Sequence, residues 1–322
     1  MTRADILSLD DWRAFYELHG APTFFASPAW SRAVCESNPQ YHIYPLKYTL
    51  DTAQSVIVPL LRVSGGKLRL RVLVGMPFGA YTAIATQTGP LAQQPAIDEV
   101  IRHLRRHTDS VELTLWPLGP QASLFSKESI GYETSVVDLS HGAEAALNSM
   151  EGSSRRMAAQ AQRKGVVCAV EHGQAAVETY YDILCQAAAK WGLERPTIRK
   201  ELLLSLVNEG GNDVEIWLAR FDGKAIAGGV VLYGLEEAFF WSAATAPDYG
   251  VLRANNALAV AIILAAAARN VRWLNLGASQ GLPNVLKFKR YLGATEIPYS
   301  TIHLQRPVYR FVKFVQSQFS FK

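Results

Sequence analysis

The segment LPNVLKFKRYLGA, residues 282 to 294, sets three cations, Lys287, Lys289 and Arg290, on one short helical stretch. Pro283 suits the first turn of that helix and Gly293 stands just past its end. Val285, Phe288 and Leu292 recur at i, i+3 and i+7, so their stripe is expected to face a core. Lys289 follows Phe288 and points about 100° away, at the rim of the stripe. A lysine there is either an ordinary solvated cation or an ammonium held where chemistry happens. Its aliphatic stem can lie on apolar surface while the charge reaches a cleft.

Further arginines stand elsewhere in the chain. Arg195, in GLERPTIRK, carries a planar fork that matches carboxylate or phosphate, and Arg199 follows four residues later. Arg32 lies two residues after Trp30, and Arg155 and Arg156 form a pair in SSRRMAAQAQRKGV. Each reads equally as part of a solvated surface. HLRRH, residues 103 to 107, has two histidines at i and i+4 but lacks the glutamate of HExxH and a third ligand, so no metal is expected. The chain has no G-x-S-x-G, no Walker loop and no dinucleotide fingerprint. No cofactor is expected.

The elements that must position these residues follow from the apolar patterning. With 322 residues, 49% hydrophobic and 19% charged, the composition is globular and the length suggests two domains. A net charge of +4 is too small to argue for nucleic acid and fits an acidic small molecule equally well. Cys35, Cys168 and Cys185 have no motif spacing, which points to a reducing compartment. The start, MTRADILSLDDW, has no apolar run of a signal peptide, and ALAVAIILAAAA (257 to 268) is too short to span a bilayer. A cytoplasmic location is the expectation.

Residues 41 to about 86 read mainly as strands, with a turn at 64 to 67. A helix at 95 to 107, a strand at 110 to 118, a short helix around 122 to 129 and a strand at 134 to 140 come next. One long helix is expected from Ala143 to Lys164, then a strand (VVCAVEH), a helix (AAVETYYDILCQAAAKWG) and a second helix after Pro196. VEIWLARFDG, KAIAGGVVLYG and EEAFFWSAATA form an antiparallel meander in which Asp222-Gly223 marks a hairpin. The loop PDYGVLRANN, the helix from 257, the strand VRWLNLG, the lysine-bearing helix, the strand EIPYSTIHL and a terminal helix complete the chain.

Three meander strands, loop, helix, strand, helix, strand is the order found in the second part of a GNAT acyltransferase domain. With FFASPAWSR, VVDLS, SSRRMAAQAQRKGV, GLERP and LGAS…LKFKRYLGA in that sequence, the chain resembles the Fem-type aminoacyltransferases and their FemAB-like, GNAT-like relatives. The resemblance implies an α+β fold of two tandem GNAT-like domains, each a mixed, mainly antiparallel sheet flanked by helices, here residues 1–142 and 143–322. It implies that Phe288 and Lys289 match the Phe-Lys pair whose lysine stabilises charge during acyl transfer. It assigns substrate contacts to Arg195, Arg32, Arg155, Arg156, Tyr249 and Asn256, although the family's usual tyrosine four residues after the arginine is Arg199 here.

Acyl-CoA enzymes of this type cradle pyrophosphate on the N–H groups of a glycine-rich loop at a helix N-terminus. In APDYGVLRANNALAV only Gly250 is present, and Arg253, Asn255 and Asn256 would crowd a phosphate; Asn256 is expected to cap the helix. The resemblance therefore implies transfer of an aminoacyl or acyl group onto an amine of a cell-envelope precursor or related metabolite. The expected partners are an anionic or nucleotide-linked acceptor and an aminoacyl-tRNA or acyl-CoA donor, with no DNA and at most peripheral membrane contact. The alternatives are a CoA-dependent N-acyltransferase acting on an amino acid or amino sugar, and a GNAT module that only binds.

Overall fold

The computed structural model describes residues 3–49, 55–64, 70–86, 94–119 and 129–312. The chain divides into two compact units, one of residues 1–132 with 298–322, the other of residues 133–297.

The first unit contains β1 (Arg3–Ile6), α1 (Leu9–His19), α2 (Pro28–Ser37), β2 (Tyr41–Ile43), β3 (Leu46–Thr49), β4 (Ser55–Val58), β5 (Leu61–Val63), β6 (Val72–Val74), β7 (Ala85–Thr86), α3 (Gln94–His107) and β8 (Ser110–Thr114). Ser8 and Ser27 cap the first two helices by accepting from the N–H groups of Asp11 and Trp30. The strand run read from 41 onward is cut by Pro45 and Pro59, which cannot donate to a ladder. The chain changes sheets there. β3 and β4 pair in a sheet ordered β1-β3-β4-β7, whereas β2 and β5 pair in the one that continues through β6 to β8. Ile97, Val100 and Leu104 of α3 pack with Val111 and Leu113 in one core. The turn at 65–67 and residues 122–128 of the expected short helix lie outside the described residues. Of the terminal helix, residues 307–312 are described and helical.

The second unit runs from β9 (Ser129–Asp138) through α4 (Gly142–Ser149), α5 (Gly152–Arg163), β10 (Val167–Glu171), α6 (Gly173–Lys190) and α7 (Lys200–Gly210). It continues with β11 (Val214–Phe221), β12 (Lys224–Tyr233), β13 (Glu237–Thr245), α8 (Ala254–Ala268), β14 (Trp273–Ala278) and α9 (Pro283–Tyr291); β15 (Thr295–Gln305) begins in this unit and from residue 298 belongs to the first. Residues 301–305 of β15 pair with β8 within the first unit. β10 to β13 form an antiparallel sheet, β13 pairs parallel with β14, and β14 pairs antiparallel with β9.

β12 is buried from Ile226 to Tyr233 because helices cover both faces. Ala227 packs with Ala254 and Ala257 of α8, while a side chain at the neighbouring Gly228 would collide with Tyr180 of α6. A strand with two dry faces reads as one apolar run, and KAIAGGVVLY does. α8 is apolar along nearly its whole length and sets Leu258, Ile262 and Ile263 in the core, each contributing about 1.5–3 kcal/mol, while Leu264 stays exposed. Among the described residues no helix is long and apolar enough to cross a membrane.

The single helix expected from Ala143 to Lys164 is two. It breaks at Met150 and Glu151, where the Glu151 N–H donates to the Tyr291 carbonyl at the end of α9 (3.0 Å) instead of to its own helix. A tertiary hydrogen bond thus ends α4 in a sequence whose propensity would continue it.

Candidate active site

β13 and β14 pair over only three positions, Glu237 with Trp273, Ala238 with Leu274 and Phe239 with Asn275. Beyond that point both strands deviate. Trp241 is the extra residue of a bulge, because Val231 faces Phe240 while Val230 faces Ser242. β14 loses register with β9 between Asn275 and Ala278. Past Phe239 and Asn275 these two parallel neighbours no longer pair.

Asn275 builds the kink in β14. It is fully buried, and its Oδ1 accepts from the Thr134 hydroxyl (2.6 Å) and from the Gly277 N–H (2.9 Å). Its amide donates to Glu237 Oε1 (2.8 Å), another buried group. The amide's acceptor and donor sides are thus both used, as a buried polar side chain requires. Taking the Gly277 N–H onto a side chain removes it from the ladder. Gly277 has φ +74°, which glycine adopts without cost, and its carbonyl is turned out of the strand.

Lys289 receives that carbonyl. Its Nζ donates to Gly277 O (2.8 Å) and to Ala278 O (3.0 Å), and the residue is only 8% exposed. The sequence stripe is corrected here: Val285 is 36% exposed, Phe288 is half-buried against the core, and Leu292 is buried beside the inward-facing Lys289. α9 docks by its C-terminal turn, and two carbonyls compensate part of the cost of burying an ammonium. Burial pulls the Lys289 pKa down to about 8. At neutral pH such a group is roughly nine-tenths protonated, yet it gives up its proton far more readily than a surface lysine. An ammonium has three protons, and two are engaged; the third is available to a reacting atom. Ser279 adds a buried hydroxyl with no partner among the described residues.

The other candidates are dispersed. Tyr249 lies before α8, its ring 5.1 Å from the Lys224 ammonium. Asn256 is buried but does not cap α8, since the helix begins at Ala254 with Arg253 at the cap position in a left-handed conformation (φ 58°). Asn256 is the third helical residue and its own N–H donates to Arg253 O. The exposed Asn255 accepts from Thr245 across the same loop. Arg195 is exposed between α6 and α7, where its charge reaches Tyr181. Arg155 and Arg156 are exposed on α5, and Arg155 donates to Asn148 across the helix break. Arg32 is in the first unit, on α2, ion-paired with Glu36 at 3.4 Å.

Sequence reasoning missed Asn275, Gly277, Glu237 and Thr134. The one available signal was an asparagine within the apolar run of WLNLGA, two residues before a glycine.

Comparisons with known proteins bear on the fold that carries these residues. Residues 148–290 match the family model described as an acetyltransferase (GNAT) domain. None of the curated proteins compared with the chain matches it. Among solved structures, FemX is similar over 96% of this chain and 99% of its own, with a TM-score of 0.74 at 9% identity. A tandem GNAT protein from the clavulanic acid biosynthesis pathway covers 95% of this chain and 99% of its own (TM-score 0.52, 11% identity). The C-terminal domain of a protein described as a lysylphosphatidylglycerol synthetase from Agrobacterium fabrum covers 96% and 95% (TM-score 0.57, 13% identity). At these identities the structures speak for the fold. Residues 148–290 thus match an acyltransferase domain of the GNAT type, in a chain whose α+β fold is similar to those of FemX and of a tandem GNAT protein.

Proposed function

We propose that this protein transfers an aminoacyl or acyl group onto an amine of a cell-envelope precursor or related metabolite. The observation that carries the reading is the buried Lys289 ammonium, held by the carbonyls of Gly277 and Ala278 beyond the last pair between β13 and β14. The acceptor amine attacks the acyl carbon, and the carbonyl oxygen becomes an oxyanion. Collapse of that intermediate breaks the bond to the donor, whose leaving atom takes a proton while the new amide nitrogen loses one. Lys289 offers its third proton to the developing negative charge in a site with little water, where an ammonium is worth more than in bulk solvent. Phe288 packs the helix that carries it. Arg195 is assigned to an anionic group of the acceptor, Arg155 and Arg156 to further anionic contacts, and Arg32 to a phosphate. Tyr249 and Asn256 are assigned to the donor end of α8.

FemX as a structural neighbour supports the aminoacyl form. The family-model match supports a second reading, an acyl-CoA donor, because the matched residues include α8 and the loop before it. The test incubates the protein with nucleotide-linked peptidoglycan precursors and either aminoacyl-tRNA or acyl-CoA, reading the acceptor mass. A mass gain from aminoacyl-tRNA supports the first reading, and acyl-CoA turnover alone selects the second. No Lys289-dependent turnover with either donor overturns both.

A further inference from the structure

HLRRH, discounted as a metal motif, contributes to a different feature. A cavity of about 390 Å³ in the first unit is lined by Arg105 and Thr108 from the end of α3 and by His303, Gln305, Arg306 and Arg310 from β15 and the helical turn after it. The lining, which Leu304 completes, has three guanidinium groups, one imidazole and no carboxylate. We propose that this cavity binds the phosphate groups of a phosphorylated small molecule.

Two of the guanidinium groups are held by neutral acceptors. Arg306 donates to the Arg106 carbonyl, and Arg310 donates to the Gln305 carbonyl at 3.2 Å. Arg306 also pairs with Asp109 at 3.9 Å, and His303 is 3.6 Å from Glu112, so the partner carboxylates stand behind the lining rather than in it. Capping the C-terminus of α3 explains Arg306, and also Arg71, which donates to His107 O. It does not explain why Arg310 converges on the same cavity. Like charges gathered around one concavity repel one another, and a bound anion offsets that repulsion. Guanidinium forks match phosphate oxygens bidentately, and the cavity has the size of a small-ligand site rather than of a lone ion. His303 and Gln305 add groups that can donate to an oxygen or to the remainder of the ligand.

The inference does not depend on the transfer reaction, so its test needs no acyl donor. Calorimetric titration of the full chain with inorganic pyrophosphate, and separately with a nucleoside diphosphate, should give saturable 1:1 binding that persists at 150 mM salt. The double variant Arg105→Gln, Arg310→Gln changes two exposed side chains and should keep the wild-type melting temperature while weakening binding at least tenfold. Arg13→Gln, on α1 of the same unit, should bind like wild type. Equal loss in Arg13→Gln, or binding that vanishes at 150 mM salt, would reduce the effect to diffuse charge and overturn the proposal. Absence of saturation at millimolar pyrophosphate and nucleoside diphosphate overturns it as well, including the case where only a single-stranded RNA oligonucleotide binds.

Discussion

Lys289 and Gly277 meet at 2.8 Å because Asn275 holds the Gly277 N–H on the other side of the same residue. One strand kink thereby sets both the place and the protonation of the ammonium. The carbonyls fix Nζ, and burial among them lowers its pKa to about 8.

Lys289→Met keeps the bulk of the stem and removes the charge. Turnover should fall by about 10²- to 10³-fold with little change in KM, the scale of losing one oxyanion donor. Lys287 is exposed on the same helix, over the Tyr291 ring at 5.5 Å, and Lys287→Met should be near wild type. Steady-state kinetics of the two variants decide the matter; equal activities would return Lys289 to a packing role.

The same lysine makes stability depend on alkaline pH. Its folded pKa of about 8 lies below the ordinary lysine value of 10.5, so between those limits the unfolded chain binds more protons than the folded one. The contribution of Lys289 to stability therefore rises with pH from about 8 to about 10.5, by at most roughly 3 kcal/mol. Urea denaturation at pH 7, 9 and 10 should show wild type gaining on Lys289→Met across that range. A constant difference between them would mean that the ammonium is not desolvated.

Asn275→Ala deprives Thr134, Gly277 and Glu237 of a shared buried partner, at a cost of about 2–3 kcal/mol. With the Gly277 carbonyl released, the lysine stem can swing toward water, and its pKa should rise above about 9 as desolvation is relieved. Competitive labelling with acetic anhydride across pH, read by mass spectrometry of the Lys289 peptide, gives this pKa without any substrate. An unchanged or lower value in folded Asn275→Ala would show that Asn275 does not position the lysine.

Gly293 closes α9 with φ +83°, and a Cβ there would stand 2.3 Å from Ser149 Oγ and 3.1 Å from the Ser149 carbonyl carbon. Gly293→Ala should cost about 2–4 kcal/mol, from the left-handed backbone and the collision together. Adding Ser149→Ala should recover only the hydroxyl part. Full recovery in the double variant, by thermal denaturation, would leave the backbone conformation without a cost.

Much of the second unit is legible because its signals are local. β11 to β13 alternate with short turns, Asp222-Gly223 marks the hairpin, and Pro283 and Gly293 bracket α9. The α4–α5 break is not legible, since it depends on a carbonyl about 140 residues away in the chain. The first unit's strands are legible as strands, but not the change of sheet at Pro45 and Pro59, which only pairing partners reveal.

By itself the sequence determined the order of elements from β10 onward, the apolar run of α8 and the presence of a lysine on a short helix after a strand. These follow from periodicity and from residues that fix φ or end a helix, which act on their neighbours in the chain. Only the tertiary structure decided that Lys289 faces inward and Val285 outward, and that residues 301–305 pair with β8 although they follow the second unit in the chain. The direction of a side chain on a nine-residue helix depends on what the helix docks against. Here it docks against the carbonyls of Gly277 and Ala278, just past Asn275, whose buried partners Glu237 and Thr134 lie 38 and 141 positions away.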